Sequence, residues 1–309
     1  MEGFLEALEK IIPEKERVLQ KEPMSRHTTF RVGGPAEYFV TADTTGELQE
    51  VLLLCKRYKM PWTILGNGSN VLVSDNGIKG VVIRLGGNFT AYEIKEDLCG
   101  GTAEASAGAG ISLSFFAMKL AKRGFTGFEF AAGIPGSVGG AVVMNAGAYG
   151  GEIKDCITKA EIVTEDGECR FLSADELQLS YRHSILMEKN WIVTRAWFSF
   201  SIGSKLYILS NIEELNRRRK EKQPLELPSA GSTFKRPAGN YAGKLIMEAG
   251  LAGARIGGAA VSEKHCGFVV NLGNATAADI YALMRHIIVT VEEKSGIRLA
   301  PEVKLLGEF

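Results

Sequence analysis

Two glycine-rich segments are the places in this 309-residue sequence where the main chain itself could do chemistry. Gly66-Asn67-Gly68-Ser69-Asn70 follows a predicted strand at Trp62–Leu65. Gly133-Ile134-Pro135-Gly136-Ser137-Val138-Gly139-Gly140 lies in an uncharged run from Phe130 to Gly151. Residues without Cβ let successive N–H groups converge on an anion, and Ser and Asn add neutral donors. Lys+Arg and Asp+Glu balance at 36 each, so no net field recruits an anion and any anion must be held locally. A dinucleotide pyrophosphate is an anion of that kind. Glycine loops also serve as plain turns and close-packing sites, and their composition leaves both readings open. Two nucleotide motifs are excluded by spacing. A Rossmann fingerprint would need glycine where Val71 stands, and Gly239–Lys244 is one residue short of a Walker A loop, with Leu245 in place of Ser or Thr.

The elements that must position these loops are short and mixed. A hydrophobic fraction of 45% and a charged fraction of 23% belong to a folded globular chain and exclude a disordered or fibrous one. The length predicts two or three packed units. The first 24 residues read as an amphipathic helix broken by Pro13, with Phe4, Leu5, Leu8, Ile11 and Ile12 on one side. Then come strands near Ala36–Val40, Trp62–Leu65, Val71–Val73 and Val81–Leu85, with a helix over Gly46–Tyr58. That alternation predicts an α/β unit over 1–90. A second unit over 91–204 carries a strand at Ala103–Ala107, a helix at Leu113–Arg123, a hairpin turning at Glu165-Asp166-Gly167 and a long strand at Trp191–Phe200. A third, 205–309, has helices at Asn211–Glu221 and Ala277–Lys294 around a strand at Gly267–Asn271.

Other classes are excluded residue by residue. Cys55, Cys99, Cys156, Cys169 and Cys266 are odd in number and without a CxxC pair, which argues against disulfides or zinc and for a reducing compartment. Cys55 shares an apolar stripe with Leu48, Val51 and Leu52 and reads as a core thiol. His27, His183, His265 and His286 lack ligand spacing, so no metal site is expected. The run Arg217-Arg218-Arg219-Lys220 has Glu213, Glu214 and Glu221 around it and reads as a solvated helix face, not a nucleic-acid site. The acidic start, Met-Glu-Gly-Phe-Leu-Glu, does not resemble a signal peptide. The uncharged run is long enough to span a bilayer, but its glycines, Pro135 and Asn145 make it a poor helix. A membrane span is rejected.

An ordered set of short motifs carries a resemblance. His27-Thr28-Thr29-Phe30-Arg31-Val32-Gly33-Gly34-Pro35 precedes Gly66–Asn70, then come the 133–140 loop, Asn145-Ala146-Gly147 and Tyr181-Arg182-His183-Ser184. Ala230-Gly231-Ser232-Thr233-Phe234-Lys235 and Pro301-Glu302-Val303 complete the series. From about residue 26 to 304 the chain resembles the UDP-N-acetylenolpyruvoylglucosamine reductases, flavoenzymes of bacterial peptidoglycan synthesis. Only a short link separates Ser184 from the next strand, so the resemblance is to the short form, without the tyrosine-bearing insertion of one branch.

The resemblance implies a mixed α/β and α+β architecture: a two-subdomain FAD-binding fold of the vanillyl-alcohol-oxidase type (1–90 and 91–204) plus a C-terminal substrate domain. The last residues are free to return to the first subdomain. It implies FAD held by Arg31, Gly66, Asn67, Gly68, Ser69 and Asn70, and by Gly133, Ile134, Pro135, Gly136, Ser137, Gly139, Gly140, Ala141, Asn145 and Gly147. Neither loop contains His or Cys, so the FAD is expected to be noncovalent. NADPH is the implied co-substrate and a UDP-sugar the substrate, in a cytoplasmic monomer with no nucleic-acid or membrane partner.

The implied reaction reduces an enol ether conjugated to a carboxylate, so the substrate carboxylate gains charge and a carbon must be protonated. Arg182 takes the first task through its planar fork of donors. Glu302 faces the same carboxylate, which requires a raised pKa or a shared proton. Ser232 is the implied proton donor. Lys235 is a candidate for the substrate phosphate or a solvated lysine, and Tyr181 a substrate contact or a core aromatic. His183, next to Arg182, is expected to point the opposite way on a strand. Two rivals remain: another flavin oxidoreductase of this fold, or a flavin- or nucleotide-binding protein without activity.

Overall fold

The computed structural model describes residues 2–97 and 101–309. Helix α1 (Glu2–Ile11) leads into β1 (Val18–Pro23), β2 (Pro35–Ala42), α2 (Thr45–Tyr58), β3 (Trp62–Leu65), β4 (Val71–Val73) and β5 (Ile78–Leu85). Next are β6 (Tyr92–Asp97), β7 (Thr102–Gly108), α3 (Leu113–Lys122), β8 (Phe125–Thr126), α4 (Val138–Val143), β9 (Gly147–Ala148) and β10 (Gly151–Glu152). The hairpin β11 (Ile157–Val163) and β12 (Cys169–Ser173), α5 (Leu186–Lys189) and β13 (Ile192–Ile202) follow. The chain ends with α6 (Lys205–Lys222), α7 (Ala242–Glu248), β14 (Arg255–Ile256), β15 (Ala259–Val261), β16 (Val269–Asn271), α8 (Ala277–Ser295) and β17 (Lys304–Leu306). The contacts divide these elements into two units: residues 1–20, 38–67 and 80–217, and residues 21–37, 68–79 and 218–309.

The first unit holds both sheets of the expected FAD-binding part. One runs β1-β2-β5-β3, the other β12-β11-β13-β7-β6 with β8 beside β13. Residues on both sides of position 90 share one core, from Val40, Leu52 and Phe89 to Ala105, Phe116 and Phe198. The two expected subdomains thus lie largely within one unit. Phe116, Phe128 and Phe198 meet at centroid distances of 5.5–5.9 Å in tilted and edge-on pairs, each worth about 0.5–1.5 kcal/mol beyond area burial. Cys55 is fully buried there, and burial pushes its thiol up to about 12. Residues 205–210, ahead of the helix expected at Asn211–Glu221, already belong to α6, because Ile208 and Ile212 bury a helical stripe against Ala121. The division of contacts falls within that helix, after Arg217. The arginine run lies on it too: Arg217 pairs with Glu214 at 2.8 Å, but Arg219 is buried, so the face is not wholly solvated.

The second unit packs α7 and α8 beside the three-stranded sheet β14-β15-β16. Ile280, Leu283, Met284, Ile287 and Val291 recur at helical spacing and are all buried. A capping box of Thr276 and Asp279 starts α8, a device worth about 1 kcal/mol. The Asp75 carboxylate adds to it by accepting from the N–H groups of Ala277 and Ala278 at 2.9 and 2.8 Å, where a negative charge meets the positive end of the helix dipole. Residues 68–79 join this unit for a second reason as well: β17 lies parallel to β4, with Lys304 opposite Val71 and Leu306 opposite Val73. The chain end thus returns to the strand that follows the first glycine loop.

Candidate active site

In the first unit the two glycine segments meet. Asn67 Nδ2 donates to the Pro135 carbonyl at 3.1 Å. A Cβ on Gly66 would fall 2.4 Å from Ser137 Oγ, so glycine is what lets the loops approach. Ser137 also caps α4, accepting from Gly140 N–H. The 136–139 backbone is pinned to the segment after β7, which glycine spacing does not reveal: Leu113 N–H donates to Gly136 O, and Val138 and Gly139 N–H donate to Ile111 and Ala109 O. Among the described residues, the N–H groups of Gly66, Asn67, Gly68 and Ser69 donate to no protein acceptor. Main-chain donors of this kind are what a pyrophosphate takes up, so the residue types of this loop fit the expected cofactor.

Arg182 is also in this unit, on a tight turn. The Ser180 and His183 main chains exchange both hydrogen bonds at 3.1 Å, leaving Tyr181 and Arg182 as the two turn residues. Arg182 has φ +55°, and one of its terminal nitrogens donates to Gly147 O at 3.1 Å. Its guanidinium lies 5.1 Å from the centroid of the Tyr181 ring. Tyr181 is 49% exposed, which removes the core-aromatic alternative. The expectation that His183 sits on a strand fails because the chain reverses here; His183 instead reaches Glu188 at 3.3 Å. A one-turn helix, α5, is all that separates this turn from β13.

Asn145, expected to touch the cofactor, is fully buried and its side chain is committed to protein groups. Its Nδ2 donates to Glu152 Oε2 at 2.8 Å and Ser180 O at 3.0 Å, while Oδ1 accepts from Lys154 N–H at 2.9 Å. It holds one end of the Tyr181–Arg182 turn, and Ser184 Oγ, donating to Val143 O at 2.7 Å, holds the other. Ile134 and Ala141 N–H donate to Ala131 O and Ser137 O, and the Gly140 and Ala141 carbonyls accept from Met144 and Ala146 N–H.

In the second unit Gly68 carries the first loop over the 27–29 segment. Its φ is +62°, a Cβ would stand 1.9 Å from His27 O, and its own carbonyl accepts from Thr29 N–H at 3.1 Å. Arg31 follows on this same segment with φ +57° and an exposed side chain. Ser232 and Glu302 are brought onto neighbouring stretches of chain. Phe234 bridges Pro301, Lys235 N–H donates to Ala300 O at 2.8 Å, and Glu302 N–H donates to Thr233 O at 2.9 Å. Thr233, which the sequence does not mark as functional, is the buried anchor of this pairing: its N–H donates to Gly267 O and its Oγ1 accepts from Val269 N–H at 2.9 Å. Desolvation and, after it, the Lys235 charge lower the Lys304 pKa, although Lys304 is exposed and solvent tempers both effects. Lys235 and Lys304 thus carry like charges close enough to act on one another.

Cys55, Cys156, Cys169 and Cys266 are free thiols, and Cys99 lies outside the described residues. Among the described residues no cluster of three His, Cys, Asp or Glu could hold a metal ion, and no helix is long and apolar enough to cross a membrane.

Comparison with known proteins supplies what geometry alone does not. Residues 36–173 match the family described as FAD binding domain, and residues 223–306 match UDP-N-acetylenolpyruvoylglucosamine reductase, C-terminal domain. A UDP-N-acetylenolpyruvoylglucosamine reductase of Lachnoclostridium phytofermentans is 53% identical over 99% of this chain and 97% of its own length. The crystal structure of the reductase from Thermus caldophilus superposes with a TM-score of 0.80 at 38% identity, covering 94% of this chain and 99% of that one. Phl p 4, a grass pollen allergen with glucose dehydrogenase activity, matches 65% of this chain and 44% of its own at 15% identity and a TM-score of 0.50, a likeness of fold alone.

Proposed function

Because this chain belongs to the UDP-N-acetylenolpyruvoylglucosamine reductase family, whose members are flavin-dependent oxidoreductases, we propose that it reduces UDP-N-acetylglucosamine enolpyruvate to UDP-N-acetylmuramate with NADPH. The step belongs to peptidoglycan-precursor synthesis in the cytoplasm. When bound, noncovalent FAD supplies hydride transfer between the two substrates. The 66–69 amides neutralise its pyrophosphate, with the 133–141 segment continuing the binding surface. Arg182, its turn fixed by Asn145 and Ser184, presents a planar fork to the substrate carboxylate as charge gathers there. Glu302 shares a proton with that carboxylate, and Ser232 delivers a proton to the adjacent carbon. Lys235 faces the substrate phosphates.

The observation that carries the residue roles is the pairing of the Ser232 and Glu302 segments through Phe234–Pro301 and Thr233–Glu302, since these residues are remote in sequence. The test is a spectrum followed by a stopped-flow trace. The purified protein should show flavin absorbance, bleach with NADPH under anaerobic conditions, and recover colour on addition of the enolpyruvyl sugar nucleotide. Bleaching without recovery would leave another flavin oxidoreductase, and a preparation unable to take up FAD would sink the reading.

A further inference from the structure

The first glycine loop ends at Asn70, a residue that the cofactor reading spends on FAD. Two of its hydrogen bonds point elsewhere. Asn70 Nδ2 donates to the Glu302 carbonyl at 3.2 Å, and Asn70 O accepts from Lys304 N–H at 3.0 Å. From the other side, Thr233 O accepts the Glu302 N–H at 2.9 Å. Glu302 is therefore gripped at both ends of its own residue: at its N–H by the neighbour of Ser232, and at its carbonyl by the last residue of the pyrophosphate turn. Val303, fully packed, and the β4–β17 pairing stop the segment from sliding. Glu302 itself lies on a stretch with no helix or sheet ladder to fix it; β17 begins two residues later.

We propose that Asn70 is a positioning residue for Glu302, setting the carboxyl for its work on the substrate, and that this is its main contribution. The inference rests on the proposed role of Glu302. A carboxyl that must share a proton with a substrate carboxylate has to be held within a few tenths of an ångström, and loss of the Asn70 bond leaves one end of its backbone loose. The defect belongs to the half of the reaction in which substrate is reduced. Cofactor affinity and the transfer from NADPH do not use Glu302 and should be spared.

The experiment uses the full chain as apoprotein and as reconstituted holoenzyme, with variants Asn70→Ala and Asn70→Ser. Three quantities are measured: the FAD dissociation constant by flavin fluorescence, the rate of flavin reduction by NADPH, and the rate of reoxidation by the enolpyruvyl nucleotide. The first two are expected within about threefold of wild type and the third slowed about 30-fold or more. The decisive readout is a double-mutant cycle. If Asn70 acts through Glu302, Asn70→Ala should cost little further rate in a Glu302→Gln background. A weakened FAD affinity with normal reoxidation once loaded would make Asn70 a cofactor ligand and overturn the proposal, as would a full multiplicative loss in the double variant or a failure of both Asn70 variants to fold. Near-normal reoxidation in Glu302→Gln and Glu302→Ala alike would instead overturn the assignment of Glu302, a different result from either of these.

Discussion

Asn145→Asp isolates a single amide. The residue has φ +41°, a conformation that Asp tolerates about as well as Asn, so the backbone is spared. The change removes two Nδ2–H donations, one to the Ser180 carbonyl and one to the Glu152 carboxylate. A buried hydrogen bond to a neutral acceptor is worth about 1 kcal/mol and one to a charged group about 1.5–3. The expected loss is thus roughly 2–4 kcal/mol, or on the order of 5–10 °C in Tm by size scaling. The Tyr181–Arg182 turn hangs from this amide, so substrate reduction should slow about tenfold or more while FAD is retained.

The introduced carboxylate would face that of Glu152, which raises its pKa in the folded state. A carboxyl with a raised folded pKa destabilises above that pKa and ceases to do so as pH falls through it. The stability deficit of Asn145→Asp should therefore shrink as pH falls from the neutral into the acid range, whereas that of Asn145→Ala should stay constant. Denaturant midpoints across that range, paired with single-turnover reoxidation, read both effects. Unchanged stability with impaired FAD binding would refute the reasoning and return Asn145 to the cofactor.

Three further expectations use other parts of the molecule. Gly68→Ala forces a Cβ to within 1.9 Å of the His27 carbonyl at positive φ; FAD affinity should fall at least tenfold, and a fluorescence titration matching wild type would show that the turn is not the pyrophosphate cradle. Arg182→Lys keeps charge at the same backbone but loses the fork, so reoxidation by substrate should drop about 10²-fold, and a wild-type rate would remove Arg182 from the chemistry. His265 has its pKa lowered by burial, and its Nδ1 accepts the Gly267 N–H at 3.1 Å. The unfolded chain then takes up the proton first, so stability should decline as pH falls below about 6.5, a slope that His265→Asn should flatten in pH-dependent denaturation.

Local pattern was enough where an element stabilises itself. The stripes of α2 and α8 and the β-branched run of β4 were readable, and so was the hairpin turn at 165–167, because period and turn chemistry are properties of neighbouring residues. β1 (Val18–Pro23) and β6 (Tyr92–Asp97) were not, since their charged sequences become strands only by pairing with a partner. The opening of α6 was missed because Leu206, Tyr207, Ile208 and Leu209 read as an apolar run with no polar face. The glycine loops were legible as a kind of chemistry, while the roles of Arg182, Ser232 and Glu302 came from resemblance alone. Asn145 illustrates the limit: an amide after a glycine-rich loop looks like a ligand until Ser180 and Glu152 are seen to consume it.

The same limit explains why the environment of Glu302 could not be deduced from its flanks. Pro301-Glu302-Val303 is an unremarkable terminal tripeptide, and its neighbours 70 and 233 are chosen by a parallel pairing of β17 with β4 whose crossover runs from residue 74 to 303. Closing so long a loop costs entropy that the pairing has to offset. The glutamate is thus fixed by contacts from two segments remote in sequence, at 70 and 233. A site assembled in this way can be exact about one carboxyl while its local sequence says nothing about it, and damage to Asn70 or Thr233 should register as loss of that alignment before it registers as loss of fold.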